Sequence, residues 1–461
     1  MRLPEKYELQ MRRLLGGDYP LYEDSLEESR HFGLRVNELK ISVEEFREKV
    51  PFHLEPVPWA RNGFYYSEED KPALHPFYYA GLFYIQEPSA MTSAGVLPVE
   101  PGDTVLDLCA APGGKSTQAA VKLNGKGLLV SNDISASRAK ALLKNIELFG
   151  ITNASVISEN PYAILQKSDI KFDKIILDAP CSGEGMFRKD PKLRSAWEQN
   201  GPENYSKIQQ EIIGYAAELL KPGGMMVYST CTFNELENEG TLISLLSKRD
   251  DLELVDIPKE HGFYPGRTET EEQKRFHMER AVRIYPFAVK GEGHFVSLIK
   301  KKGERIRPEV FPAGDRKVKL SEEFEEFESH LSMPFDRCRI RVSEGKVYCL
   351  PESEFTDAAK KVRYLRNGVL LGEEKKKRFE PSQALAMTLK SDDFDNVISL
   401  AADDVRVDKY LKGETISFTA DELGENYDGT VLFCVDGFSL GWGKLSGTTM
   451  KNKYLPGWRK A

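Results

Sequence analysis

Six cysteines are spread over the 461 residues, and two of them have neighbours suited to chemistry. Cys181 lies in Asp178-Ala-Pro-Cys-Ser-Gly-Glu-Gly-Met-Phe-Arg-Lys-Asp190, and Cys231 in Tyr228-Ser-Thr-Cys-Thr232; each segment directly follows an apolar run. A lone cysteine is usually a small core hydrophobe, and that reading is kept for Cys338, Cys349 and Cys434. Cys181 and Cys231 stand instead among loop-forming and polar residues, where an apolar strand has just ended. Ligands of open α/β sheets bind beyond such carboxyl ends. A thiolate placed there is a nucleophile for covalent catalysis.

Two further segments have the form of ligand-binding turns. Asp107-Leu-Cys-Ala-Ala-Pro-Gly-Gly-Lys115-Ser-Thr reads as a strand, a Gly-rich turn and a helix start. Gly113 and Gly114 allow close approach of a ligand to the backbone, and the helix start offers unpaired N–H groups. A phosphate-binding P-loop needs a further glycine, which would fall at position 109, where Cys109 stands. Asp133 ends the next apolar run, twenty residues after Gly113. An acid there is placed either to accept ribose hydroxyls or to cap the following helix.

These segments need a scaffold, and the hydrophobic pattern supplies one. The strands predicted are Thr104–Cys109, Gly127–Asn132, Ala154–Ser158, Lys174–Asp178 and Gly224–Ser229, with His294–Lys301 as a closing strand. Helices are predicted at Ser116–Leu123, Ser137–Phe149 and Asn204–Leu220. Apolar strands alternating with helices imply a parallel sheet covered on both faces. Before it, Pro4–Leu15 has helical spacing, Phe32–Leu39 reads as a strand and Val43–Val50 as a helix opened by Ser42. After it, Thr430–Val435 and Phe438–Leu445 read as a hairpin around Asp436-Gly437. The expected fold is therefore α/β, with a small N-terminal α/β domain at 1–79, a catalytic domain at 80–301, a connecting α/β domain at 302–385 and a β-rich unit at 386–461.

The composition, with 40 % hydrophobic and 30 % charged residues, excludes a disordered or collagen-like chain. No apolar run reaches the length of a membrane span, the charged start Met1–Arg13 lacks the apolar stretch of a signal peptide, and the cysteines form no CxxC pair. The expected compartment is the cytoplasm. The seven histidines have no metal-ligand spacing, so no metal is expected. The net charge is −8, yet the last third is locally basic. Lys300–Lys319 and Lys360–Arg378 each hold eight Lys/Arg, and Leu440–Ala461 holds five with no acid. Such clusters suit an RNA-facing surface. Trp442, Tyr454 and Trp458 interleave with the last cluster, either to stack on bases or to fill a small β core.

The motifs Cys109–Lys115 (CAAPGGK), Asp178–Pro191 (DAPCSGEGMFRKDP) and Ser229–Thr232 (STCT), in that order on successive strands, resemble those of the Nop/Sun family of RNA cytosine-C5 methyltransferases. Tyr84–Met91 and Arg283–Phe295 are similar to the family's flanking motifs. The N-terminal unit and the tail ending in GWGKLSGTTMKNKYLPGWRK resemble its bacterial RsmF-type branch, which acts on small-subunit rRNA and carries a PUA-like domain. The resemblance implies a Rossmann-like class I methyltransferase domain, S-adenosylmethionine as cofactor, and RNA as partner, most of all 16S rRNA or the small ribosomal subunit, with no membrane and a monomeric state. It places Cys109, Ala110, Ala111, Pro112, Gly113, Gly114, Lys115, Asp133, Asn160 and Asp178 at the cofactor, with Asn160 standing where members often carry an aspartate. It makes Cys231 the nucleophile that adds to cytosine C6, Cys181 the residue of adduct release, and Asp178 the group beside cytosine N3. A tRNA methyltransferase of the same chemistry and a non-catalytic ribosome-assembly protein are the alternatives. The base must leave its helix to be reached.

Overall fold

The computed structural model describes residues 3–190, 192–305, 318–352, 362–424 and 428–460. Its largest element is a ten-stranded sheet. The parallel strands Thr104–Asp107, Leu128–Asn132, Ala154–Ile157, Phe172–Asp178 and Leu220–Thr230 form the centre. Across the sheet the Leu220 strand is followed by the Phe172, Thr104, Leu128 and Ala154 strands. The chain therefore turns back at Thr104–Asp107, where a crevice opens in such sheets. His294–Lys301 closes the sheet antiparallel to Leu220–Thr230, as its pattern predicts. Val105, Leu106, Leu129, Val130, Ile175 and Ile176 are fully buried, so both faces are covered. Helices Gly114–Leu123 and Ala136–Leu148 begin near their predicted starts. Helix Lys192–Leu219 starts twelve residues earlier than predicted, and Gly201, with φ 62°, divides it.

The N-terminal segment forms a four-stranded sheet ordered Glu55–Pro56, Gly63–Tyr66, Phe32–Val36, Phe83–Ile85. Ser42 caps helix Val43–Lys49 through the N–H of Glu45. Helix Glu5–Leu15 buries Tyr7, Met11 and Leu14, the face set by their spacing. That face does not join the N-terminal sheet. It packs with Phe187, Trp197 and Phe233, which belong to the segments following the two cysteines.

One short stretch, Arg35–Lys40, ties this N-terminal unit to both helices that begin at the glycine turn and at Asp133. The guanidinium of Arg35 is fully buried; it donates to the carbonyl of Gly114 (2.8 Å), the hydroxyl of Thr117 (2.6 Å) and the amide oxygen of Gln86 (3.0 Å). Burial lowers its pKa to about 10. Asn37 donates to the carbonyls of Gly81 (2.8 Å) and Phe149 (3.1 Å), and the Lys40 ammonium to those of Ala80 (2.8 Å) and Leu148 (3.0 Å). A cation at the end of helix Ala136–Leu148 also meets the negative end of its dipole.

The C-terminal third holds a four-stranded antiparallel sheet, Ile340–Ser343, Lys346–Cys349, Val369–Lys375 and Arg378–Pro381, and a five-stranded mixed sheet. In the latter, Gly429–Val435 and Phe438–Ser446 pair around Asp436 and Gly437, both at positive φ (45° and 84°), the turn geometry predicted for an Asp-Gly hairpin. Trp442, Tyr454 and Trp458 are buried at 2, 1 and 6 % exposure. They are core residues, and the stacking alternative falls because their rings do not face solvent. Cys434 is buried as expected, whereas Cys338 and Cys349 are only half-buried. Strand Tyr364–Asn367 leaves its neighbours and joins the large sheet, antiparallel to Ala154–Ile157. Arg363 beside it donates to the carbonyl of Ser158 (2.8 Å), and Arg366 pairs with Glu147 (3.4 Å). Part of the Lys360–Arg378 cluster is thus structural. Of the eight cations of the Lys300–Lys319 cluster, Arg307, Arg316 and Lys317 lie outside the described residues, while Lys301 and Arg305 are held by carbonyl and carboxylate partners.

Replacing Arg35 by Met leaves three buried acceptors without their donor. The expected loss is about 1–3 kcal/mol of unfolding free energy, read from the denaturant midpoint of the R35M variant.

Candidate active site

The carboxyl ends of the five parallel strands bring the separate motifs together. Asp178 ends its strand, and Cys181 follows three residues later in a stretch without regular structure. Cys231 lies one residue past strand Leu220–Thr230, whose Ser229 is in register with Asp178. The two Sγ atoms are 3.3 Å apart. The hydrogen bond to Cys231, together with burial and the charges of Glu237 and Asp178, raises the pKa of Cys181 well above the usual thiol range. The two thiols share this contact, in which either sulfur can donate.

Asp178 is the electrostatic centre. Its Oδ2 accepts from the Lys115 ammonium at 2.7 Å, and its Oδ1 from the Ser229 hydroxyl at 2.7 Å, with His294 Nε2 at 3.4 Å. Burial works against ionisation, but Lys115 and His294 outweigh it and hold the carboxyl well below the usual range. Asp178 is an acceptor, not a proton donor. The sequence reading treated Lys115 only as part of the cofactor cradle and attached nothing to His294. The signal for His294 lies in the antiparallel register, which pairs Phe295 with Thr230 and brings the strand start to the level of Cys231.

The cradle itself begins at Asp107. Its Oδ2 accepts from Ser116 (2.7 Å), while its Oδ1 is buried without a partner. Burial pushes its carboxyl up to about 7. Cys109 is half-buried and packs against the core, and burial raises its thiol pKa, so it is the turn's packing residue and not a nucleophile. The Ala110 N–H donates to Asn132, Arg138 donates to the Ala111 carbonyl, and Asn145 donates to that of Pro112 (2.8 Å), which fixes the loop. Gly113 has φ 115° and starts helix Gly114–Leu123. A Cβ on Gly114 would come within 3.1 Å of Tyr84. Asp133 is buried; its Oδ1 accepts from the Ser135 N–H (2.9 Å) and its Oδ2 lies 3.4 Å from Arg138. Asn160 is exposed, and its oxygen caps helix Pro161–Lys167 through the Tyr162 N–H (2.9 Å), leaving its amide nitrogen for a ligand. Beside them, Ile134 and Tyr162 are 60 and 51 % exposed. They are exposed apolar side chains just past the ends of adjacent strands, a feature the motif reading missed.

An orphan carboxylate oxygen, open helix N–H groups and a buried acid in line with an apolar surface fit a ligand bearing an ammonium group, a ribose and an adenine. S-adenosylmethionine has all three. Among the described residues no group of His, Cys, Asp and Glu could hold a metal, and no helix is long and apolar enough to cross a membrane. A cavity of about 500 Å³ lies elsewhere, between Glu38–Glu45 and Lys390.

A parallel sheet of this order, with this loop and a C-terminal β unit, defines a Rossmann-like methyltransferase. The family model described as 16S rRNA methyltransferase RsmB/F matches residues 94–300. Models for the RsmF N-terminal domain, first C-terminal domain and PUA domain match residues 3–88, 326–389 and 397–460. Ribosomal RNA small subunit methyltransferase F of Aliivibrio salmonicida is 33 % identical over 91 % of this chain and 89 % of its own length. The enzyme of the same name from Enterobacter sp. is 30 % identical over 98 and 95 %. A methyltransferase homolog protein from Pyrococcus horikoshii, 29 % identical, superimposes with a TM-score of 0.54 over 63 % of this chain and 93 % of its own. NSun6 from Pyrococcus horikoshii, solved with SFG, shares the fold at 23 % identity and a TM-score of 0.54, over 65 % of this chain and 99 % of its own. The chain belongs to the RsmB/F family, in its F branch, and S-adenosylmethionine is the cofactor of that family.

If Asp107 receives the cofactor's ammonium group, affinity depends on its ionisation. With a carboxyl held near 7, affinity should rise as pH increases from 5.5 to 7. Asp107→Asn should bind more weakly and show no such rise. Calorimetric titration with S-adenosylmethionine across this range measures both.

Proposed function

We propose that this chain methylates carbon 5 of cytosine in small-subunit (16S) rRNA, through a covalent bond between Cys231 and C6 of the base. The observation that supports this most is the approach of two thiols to 3.3 Å at adjacent strand ends, beside an ionised aspartate. A protein that only binds RNA needs neither thiol. We take the domains as 1–79, 80–301, 302–385 and 386–461, with strand Tyr364–Asn367 of the third joining the sheet of the second and the last as the RNA-binding unit.

The cofactor site consists of Cys109–Lys115, Asp107, Asp133, Asn160 and Asp178. The bound cofactor supplies an electrophilic methyl group. Cytosine C5 is a poor nucleophile on its own. When the Cys231 thiolate bonds to C6, the electron pair of the C5=C6 bond becomes available at C5, which then takes up the methyl. N3 takes a proton from solvent as the ring gains charge, its N–H donates to ionised Asp178, which stabilises the adduct, and the proton returns to solvent when C5=C6 is restored. The C5–H proton must next depart to a base. Its electron pair restores C5=C6 as the C6–S bond breaks and Cys231 leaves as a thiolate. Cys181 is placed to be that base. Cys231 gives its proton to solvent before it attacks. Attack turns it into an uncharged thioether, so Cys181 no longer faces a second sulfur charge when it gives its own proton to solvent, and as a thiolate it takes up the C5 proton.

The RNA platform is drawn from the exposed cations Lys444, Lys451, Lys453 and Arg459. Lys444 and Lys451 are opposite one another on neighbouring strands. Like charges in that position destabilise a sheet unless an anion lies between them.

Asp133→Ala should weaken cofactor binding by about 1–3 kcal/mol and leave RNA binding in place; calorimetry showing unchanged cofactor affinity rejects the ribose role. The triple variant K444E/K451E/K453E should reduce rRNA affinity and flatten its salt dependence, with cofactor affinity unaltered. The thiols should fail differently. Cys231→Ala should yield neither methylated RNA nor a covalent complex. Cys181→Ala should accumulate an enzyme–RNA complex on a denaturing gel. The reverse pattern exchanges the roles of the two cysteines. Labelled methyl transfer to ribosomal subunits and not to tRNA tests the substrate.

A further inference from the structure

Two buried carboxylates cross between the loops that carry the thiols. Glu184 belongs to the Cys181 loop, and its Oε2 accepts the N–H of Phe233, two residues past Cys231 (2.9 Å). Glu237 belongs to the segment beyond Cys231, and accepts the N–H of Ser182, next to Cys181 (2.9 Å), as well as the Ser182 hydroxyl. Each is at most 1 % exposed. The Ser182 hydroxyl also meets that of Thr232 (2.8 Å), and the Gly185 N–H donates to the Cys231 carbonyl (2.9 Å).

Glu237 reaches both neighbours of Cys181. It holds Ser182 directly. It also holds the amide of Gln209 (2.8 Å), and the same nitrogen donates to the Pro180 carbonyl (2.9 Å). Cys231 has less need of such support, because it stands at the end of a central strand with neighbours on both sides. Cys181 sits in an irregular stretch, and both of its flanks are held through Glu237, Ser182 directly and Pro180 by way of Gln209, with Thr232 as a further partner of Ser182.

We propose that Glu237 is the positioning residue of adduct release: it fixes the backbone on both sides of Cys181 so that this thiol faces the atoms leaving Cys231. The proposal rests on the roles given to the two cysteines above. Three donors converge on the carboxylate, the Ser182 N–H and hydroxyl and the Gln209 amide, and a neutral side-chain amide, with a single oxygen, cannot accept from all three across both positions. Burial, with Glu184 close by, pushes its carboxyl up to about 7.

Glu237→Gln tests this, compared with Cys181→Ala, in the full-length protein with 16S rRNA and S-adenosylmethionine. The expected result is a fall in kcat on the order of 10²-fold, the usual cost of an ångström-scale misplacement. KM for RNA and for cofactor should stay within about two-fold, since neither is touched. A denaturing gel should show the covalent complex accumulating, as with Cys181→Ala. A purely structural role would lower complex and product together and raise KM. Gln209→Ala, which cuts only the Pro180 link, should give the same complex to a smaller extent, and it decides the matter if Glu237→Gln does not bind cofactor. Complex with Cys181→Ala but wild-type turnover in both other variants overturns the role of Glu237 alone. No complex with Cys181→Ala overturns the cysteine assignment, and the role of Glu237 with it.

Discussion

The ion pair between Lys115 and Asp178 joins the glycine turn to the loop of the first thiol, and much of the surrounding architecture follows from its cost. Two charges taken out of water require close contact and further hydrogen bonds. Ser229 supplies a hydrogen bond to Asp178 from a second strand, and His294 approaches it to 3.4 Å from a third. Four segments far apart in sequence are thereby fixed at one point. The same ammonium keeps a carboxylate ionised next to two sulfurs, so one negative charge is already settled before any thiol loses its proton.

The central sheet was legible because buried parallel strands are runs of Val, Ile and Leu bounded by glycine and polar residues. Leu128–Asn132 and His294–Lys301 fell within a residue of their predicted limits. The hairpin was legible for a different reason: Asp436-Gly437 tolerates positive φ where other pairs do not. The two thiols, Asp178 and the glycine turn were recognisable from residue type and position after a strand. His294 and Glu237 were not. Each acquires its meaning from a partner on another element, and neither stands in a local pattern that requires a charge.

Other differences have equally local causes. Helix Glu5–Leu15 shows its apolar face in the sequence, but the pattern does not say what that face covers. It covers the aromatic residues next to both thiols, with Gln10 donating to Glu184 (3.0 Å). The aromatics Trp442, Tyr454 and Trp458 are interspersed with lysines, which allows two opposite placements; in the fold the rings are buried in the core and Lys444, Lys451 and Lys453 are exposed.

Strand Tyr364–Asn367 has a further consequence, one of timing. Until it arrives, Ala154–Ile157 is a bare sheet edge, open to pairing with any other extended chain. About 200 residues separate the two, or roughly 10–40 s of synthesis at about 5–20 residues per second. Throughout that interval the nascent sheet offers its unpaired N–H and carbonyl groups at this edge. Only a segment from the C-terminal third can cover them. The chain is therefore not a string of units that mature one after another from the ribosome, because its catalytic sheet is finished from the far end.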